Sequence, residues 1–250
     1  MLNDTIKTIL SHRSIRKFTD ESLSDEQIKL LVESAQMAST SSFIQAYTII
    51  GVEDHSKKTK LSELAGNQPY VETNGHFFVF CADLYRHRVG SELEETNVED
   101  SLESTEKFMV SLIDASLAAQ NAAIAAESMG LGICYIGGLR NDITKVSELL
   151  NLPDYVIPLF GLAVGVPATK SDQKPRLPIE NVYYKDAYPS NKDTVTEGLH
   201  HYNDIISDYY HKRTSGKRSD RWTEQVSQML SQPSRPDMKD FVNKKGFMKS

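Results

Sequence analysis

Residues 12 to 18 read His-Arg-Ser-Ile-Arg-Lys-Phe, which sets hydrogen-bond donors from His12, Arg13, Ser14, Arg16 and Lys17 on neighbouring and alternating positions. Donors grouped in this way hold a phosphate through charge-assisted bonds, and in a site walled from water they do so far better than scattered lysines. The same seven residues also read as a solvated basic face ahead of a helix. A second basic group stands far away in sequence, at Lys174-Pro175-Arg176-Leu177-Pro178. Its prolines favour an extended backbone, in which Lys174 and Arg176 project to one side and can converge on a single anion; a stiff exposed linker is the other reading. Between the two lie Thr40-Ser41-Ser42-Phe43-Ile44-Gln45 and Tyr135-Ile136-Gly137-Gly138-Leu139-Arg140-Asn141, each a small-residue turn beside an apolar run. These four segments point to a ligand that is both anionic and flat.

A scaffold has to position them. Ser24, with Glu26 and Gln27 behind it and the run Ile28, Leu31, Val32, Ala35 beyond, predicts a helix start just after the basic segment. The spacing of Leu2, Ile6, Ile9 and Leu10 predicts another helix over 2–11, and residues 48–52, 76–82, 133–136 and 157–165 read as buried strands. From 107 to 129, Phe108, Leu112, Ala115, Ala119, Ala122 and Ala126 line one face with mostly small residues, which predicts a central helix that neighbours approach closely. The acidic stretch 91–106 reads as a solvated loop or lid. Gly137 and Gly138 let the main chain come close to a flat ring or take unusual dihedrals, although a plain tight turn accounts for them as well. A Gly-x-Gly-x-x-Gly spacing is missing there, so a dinucleotide-binding fold is not expected. The basic, glycine-containing stretch 209–222, with Arg213 and Arg218, is either an anion binder or a solvated connector between helices.

Composition narrows the class. With 250 residues, 39% of them hydrophobic, the chain can bury one sizeable core on a mixed α/β plan. A net charge of -6 argues against nucleic acid as a partner, since tracking phosphates takes an excess of Lys and Arg. Cys81 and Cys134 lie in apolar, strand-like surroundings, which predicts free buried thiols, a reducing compartment and no catalytic role. We find no apolar run of the roughly 18 residues that span a bilayer, and Met1-Leu2-Asn3-Asp4 offers no cationic leader region. A soluble, cytoplasmic protein with no membrane partner is expected.

In order and spacing these motifs resemble the oxygen-insensitive, NADPH-dependent nitroreductase and flavin reductase branch of the FMN-dependent nitroreductase superfamily. The resemblance runs over nearly the whole length: residues 12–16, 39–45, Gly66-Asn67-Gln68, Phe80-Cys81-Ala82-Asp83, Ala118-Ala119-Gln120-Asn121, 125–130, 135–141, 174–178 and 213–222. It implies an α+β class, a nitroreductase-like sandwich whose central, mainly antiparallel sheet is flanked by helices. It further implies one domain over 1–250 with an extended helical tail from about 179, and an intertwined homodimer with one FMN in each of two clefts between subunits.

By the same resemblance His12, Arg13, Ser14, Lys174 and Arg176 hold the phosphate end of FMN, while Arg16 reaches the pyrimidine edge and favours the charge of the reduced ring. Gln68 pairs with the N3 and O4 edge, Ile136, Gly137 and Gly138 lie against the ring with a main-chain N–H toward N5, and Thr40 and Ser42 arrive from the partner subunit. Arg213 and Arg218 take the 2′-phosphate of NADPH. No side chain is then catalytic and no metal is needed. Arg16 and Gly137 tune the flavin, and two electrons pass in ping-pong order from NADPH through FMN to nitroaromatics, quinones or free flavin. Two other classes stay open: a non-redox enzyme of the same fold that uses FMN, and a phosphate- or nucleotide-binding module without turnover.

Overall fold

The computed structural model describes residues 2–189 and 191–250, so Met1 of the N-terminal reading lies outside the described residues. The chain forms two compact units, Met1–Ser171 with Arg235–Ser250, and Asp172–Ser234. In chain order the first unit contains α1 (Asp4–Leu10), α2 (Asp25–Gln36), β1 (Tyr47–Val52), α3 (His55–Leu64), α4 (Pro69–Glu72), β2 (His76–Asp83) and α5 (Tyr85–Leu93). It continues with α6 (Glu99–Leu102), α7 (Thr105–Ser128), β3 (Gly132–Ile136), α8 (Ile143–Leu149) and β4 (Val156–Gly165). The second unit holds α9 (Lys192–Arg213) and α10 (Trp222–Leu230); α11 (Met238–Lys244) is again part of the first. There Phe247 is fully buried, with its ring against Phe108 and Tyr155. Past residue 179 the chain is therefore helical but not one continuous tail.

The expected sheet is present as four antiparallel strands in the order β1-β2-β4-β3. All eight residues of β2 are buried, because successive side chains enter two different cores. Phe78, Phe80 and Ala82 join the core that includes α2 and α7, and Phe77, Val79 and Cys81 join the one that includes α3 and α8. Ser24 and Gln27 form a reciprocal cap at the start of α2, as their spacing predicts.

Two expectations are corrected. The acidic stretch 91–106 is not a loop or lid: it holds the end of α5, all of α6 and the first residues of α7. Buried Leu102 ties α6 down and Ser104 caps α7, while Glu92, Glu94, Glu95, Glu99 and Asp100 stay exposed and hide the periodicity. Helix α7, moreover, is long and apolar enough to cross a bilayer by length and composition alone, with a mean hydropathy of 1.3. Its buried side is made of small residues such as Ala115, Ala119 and Ala126, packed on α2 and the sheet, and includes the carboxylate of Asp114. That is how a core helix is built.

His76, only 3% exposed, lies against Phe78 and over Gly51. Burial pushes its pKa down by more than Glu53 pulls it up. The unfolded chain takes a proton here near the ordinary value of about 6.5. Stability from neutral His76 is thus present in full above about pH 6.5 and is lost as pH falls through the lower folded-state value. Replacing His76 by Phe should flatten the acid side of the stability curve, read by urea unfolding between about pH 5 and 7. Parallel curves for the two proteins would contradict this.

Candidate functional site

The basic segment is an extended edge to the sheet. Ile15 N donates to Ile133 O at 2.8 Å, Thr19 N to Val166 O at 2.9 Å and Ala168 N to Lys17 O at 2.9 Å, so the segment follows β3 and the end of β4. Ile15 is buried where Gly132 leaves room; a Cβ on Gly132 would sit 2.6 Å from it. Alternation along extended chain then sends Ser14 and Arg16 to the opposite side. Arg16 is exposed. His12 places Nδ1 2.7 Å from Glu127 Oε1, and Arg13 donates to the carbonyls of Ser11 and Ser171 at 3.2 Å. The expectation that both serve a phosphate is corrected to this extent: each already spends part of its donor capacity on the protein. A cavity of about 390 Å³ is lined by Arg13, Ile15, Glu127 and Lys170 and not by Arg16, Gln68, Gly137 or Gly138.

Beyond β3 the chain passes from buried Ile136 into a tight 3₁₀ turn over Gly137–Asp142. A Cβ on Gly138 would stand 2.5 Å from Ala65 O and 2.7 Å from Gln68 Nε2. Neither Gly137 nor Gly138 has a positive φ, so these glycines serve close approach and not the unusual dihedrals expected of them. Gln68 donates from Nε2 to Ala65 O at 2.9 Å and accepts from the Tyr70 hydroxyl at 2.7 Å. Its amide is locked in orientation, and the count of donors and lone pairs leaves one N–H and one acceptor site to offer a ligand. Arg140 donates to Leu159 O and lies beside Gly137; burial lowers its pKa, and Arg235 lowers it further. Arg235 in turn grips Asn141 Oδ1 at 2.9 and 3.2 Å. Arg140 belongs to the 135–141 segment without a role assigned from sequence, while Tyr70 and Arg235 are not singled out there; Tyr70, two residues after Gln68, carries a local signal and Arg235 none.

Thr40 and Ser42 sit on the loop between α2 and β1, whose amides are tied to Asp114 of α7. Cys81 and Cys134 are free and buried, and burial pushes both thiols up. The guanidinium of Arg16 pulls Cys134 the other way without overcoming burial.

The second unit gathers its cations on tyrosines. Lys174 Nζ lies 5.4 Å from the ring centre of Tyr210, and the guanidinium of Arg218 lies 4.5 Å from the same ring. Arg213 closes α9 with its guanidinium over Tyr209, whose hydroxyl accepts from it at 2.8 Å. Arg218 also pairs with Asp220 at 2.7 Å. Arg176 donates to Lys174 O at 2.8 Å, Lys174 and Arg176 both act electrostatically on Tyr202, and Lys174 shares the Tyr210 ring with Arg218.

Comparison with known proteins agrees in both sequence and shape. Residues 9–166 match the nitroreductase family and residues 174–250 match the nitroreductase family C-terminal domain. The chain is 59% identical over 249 residues, all of both chains, to a Bacillus subtilis protein named FMN reductase (NADPH). It is similar to the structure of B. megaterium NfrA1, with a TM-score of 0.98 and 62% identity over 99% of this chain and 100% of that one. It also resembles the NADPH:FMN oxidoreductase of Vibrio harveyi, solved as a complex with NAD+, with a TM-score of 0.86 and 38% identity over 99% and 100% of the chains.

Proposed function

From the premise that this chain belongs to the nitroreductase family, we infer how its own residues serve an NADPH-driven, FMN-dependent oxidoreductase. The observation that carries the reading is the assembly around β3. The extended segment bearing Ser14 and Arg16 pairs with this strand, and the turn that follows it packs Gly138 onto Gln68. Nothing larger than hydrogen fits at that point, and the donors around it suit FMN: a fixed amide for a pyrimidine edge, a main-chain turn with no side chain in the way, and an exposed guanidinium. When bound, FMN supplies a two-electron relay between NADPH and a small-molecule acceptor.

The chain's part is to bind, orient and set the field. Arg16 places a permanent positive charge where the reduced ring becomes negative, and Gln68, held by Tyr70 and Ala65, fixes the ring's rotation. Ile136, Gly137 and Gly138 present main chain to the ring. Ser14, with the remaining N–H groups of His12 and Arg13, is assigned to the phosphate of FMN. Arg213 and Arg218 are assigned to the 2′-phosphate of NADPH, and Thr40 and Ser42 to the flavin of a partner subunit. The thiols of Cys81 and Cys134 take no part.

A homodimer belongs to this reading. Helix α7 exposes Met109, Ile113 and Leu117 at four-residue intervals, and α1, which packs on α7, exposes Ile6, Ile9 and Leu10. Such an apolar surface is what a second copy would cover. Acceptors are nitroaromatics, quinones or free flavin, and the setting is the cytoplasm.

The test is Gly138→Ala. Its methyl meets a carbonyl oxygen and the Gln68 amide, and neither can yield without moving the turn, which costs about 1–3 kcal/mol. Titrating apoprotein with FMN should show affinity down by about 10- to 100-fold. Wild-type affinity would contradict the assignment.

A further inference from the structure

The loop that follows α2 holds a conformation its sequence does not favour. Ser42, Phe43 and Gln45 have φ of 50°, 58° and 55°, in the left-handed region that residues with a Cβ avoid. Such strain persists only where the surroundings over-determine it. Two groups from distant elements do so here. Asp114 of α7, fully buried, accepts from Ser41 N through one oxygen and from Ala46 N through the other, both at 3.0 Å. Its carboxylate thereby ties together the two ends of the strained stretch. His87 of α5 has Nε2 2.6 Å from Ile44 O, the carbonyl in the middle of the stretch, so Nε2 carries the proton and donates. Its Nδ1 is buried, with no partner among the described residues. Ile44 O is thus the ring's one hydrogen-bond partner among the described residues. Phe43, held between these anchors, is 81% exposed.

We propose that Asp114 and His87 are positioning residues that clamp residues 40–46 in the strained form, so that Thr40 and Ser42 reach the flavin of the partner subunit already ordered. The inference rests on the reading that these two hydroxyls meet FMN. With the loop ordered in advance, its conformational entropy is not lost when FMN binds, and affinity rises accordingly. Asp114 suits the task because a carboxylate accepts twice from backbone N–H and cannot donate.

Five variants decide it, each read by FMN titration of apoprotein, by visible circular dichroism of the bound flavin, and by proteolysis of apoprotein within residues 41–46. Asp114→Asn turns an NH2 toward a backbone N–H; it should weaken FMN by about 10- to 100-fold and open the loop to cleavage. His87→Leu should act the same way, whereas His87→Gln, which keeps a donor, should stay within about 3-fold of wild type. Adding Gln45→Gly to Asp114→Asn relieves one left-handed residue and should recover part of the lost affinity. Should Asp114→Asn fail to fold, the two His87 variants carry the test. The double variant Thr40→Ala, Ser42→Ala separates the premises. If it binds FMN like wild type while Asp114→Asn is cleaved, the hydroxyls do not meet the flavin and the flavin-directed role falls. If it loses affinity while Asp114→Asn and His87→Leu keep both affinity and protease resistance, the clamp is refuted.

Discussion

Replacing Arg213 and Arg218 together by Ala raises the KM for NADPH by about 10- to 100-fold and leaves the KM for NADH nearly unchanged, because only NADPH carries the 2′-phosphate that two guanidinium groups can hold. The structure gives this expectation its physical basis. Arg213 is fixed over Tyr209 and Arg218 over Tyr210, so both cations are ordered before a nucleotide arrives. Lys174, on the other contact to Tyr210, adds charge to the same place. Both arginines are exposed, so the preference for NADPH should shrink with rising salt, over the screening length of about 8 to 10 Å near physiological ionic strength. The acceptor half-reaction should keep its maximal rate. Steady-state kinetics with both nucleotides at low and high salt check this, and equal losses for the two would mean that the stretch after α9 is only structural.

An Ile113→Glu chain should be monomeric and poor in flavin. Ile113 is 52% exposed in the middle of the apolar stripe of α7, which the proposed dimer covers. A self-complementary interface receives the substitution twice, and each buried, unpaired carboxylate costs about 3–5 kcal/mol. The combined effect exceeds three decades in dimer dissociation. Since Thr40 and Ser42 are assigned to the partner's flavin, FMN content should fall with the dimer. Sedimentation and flavin absorbance on one preparation measure both; a flavin-loaded dimer would refute the role of this face.

What the sequence disclosed follows from how local each signal is. The Ser24 cap and the Ala-rich face of α7 depend on neighbours three to eleven residues apart, and both were legible. The family resemblance names Gln68 and Gly138 together, and the two do meet, but the reason for the glycine is not legible in the chain. That reason is steric and long-range, a carbonyl at Ala65 and an amide at Gln68 pressed on Gly138. The helices within 91–106 were hidden because outward-facing acids outnumber the single buried anchor, Leu102. Asp114 was missed although one acid on an otherwise small and apolar helix face is a visible anomaly; its partners lie about 70 residues away in sequence, on backbone atoms that no side-chain pattern reports. The gathering of Lys174 and Arg218 on Tyr210 was equally invisible, since a cation over a ring leaves no spacing rule in the chain.

With FMN held by this chain, electrons pass from NADPH to an acceptor through the flavin, which is checked by adding one equivalent of NADPH to the purified protein without air and following the flavin absorbance. The protein should be yellow, bleach on addition, and regain its colour when a quinone, a nitroaromatic or free FMN is supplied. A yellow protein that NADPH leaves unchanged, or a colourless one that takes up no FMN, would contradict it.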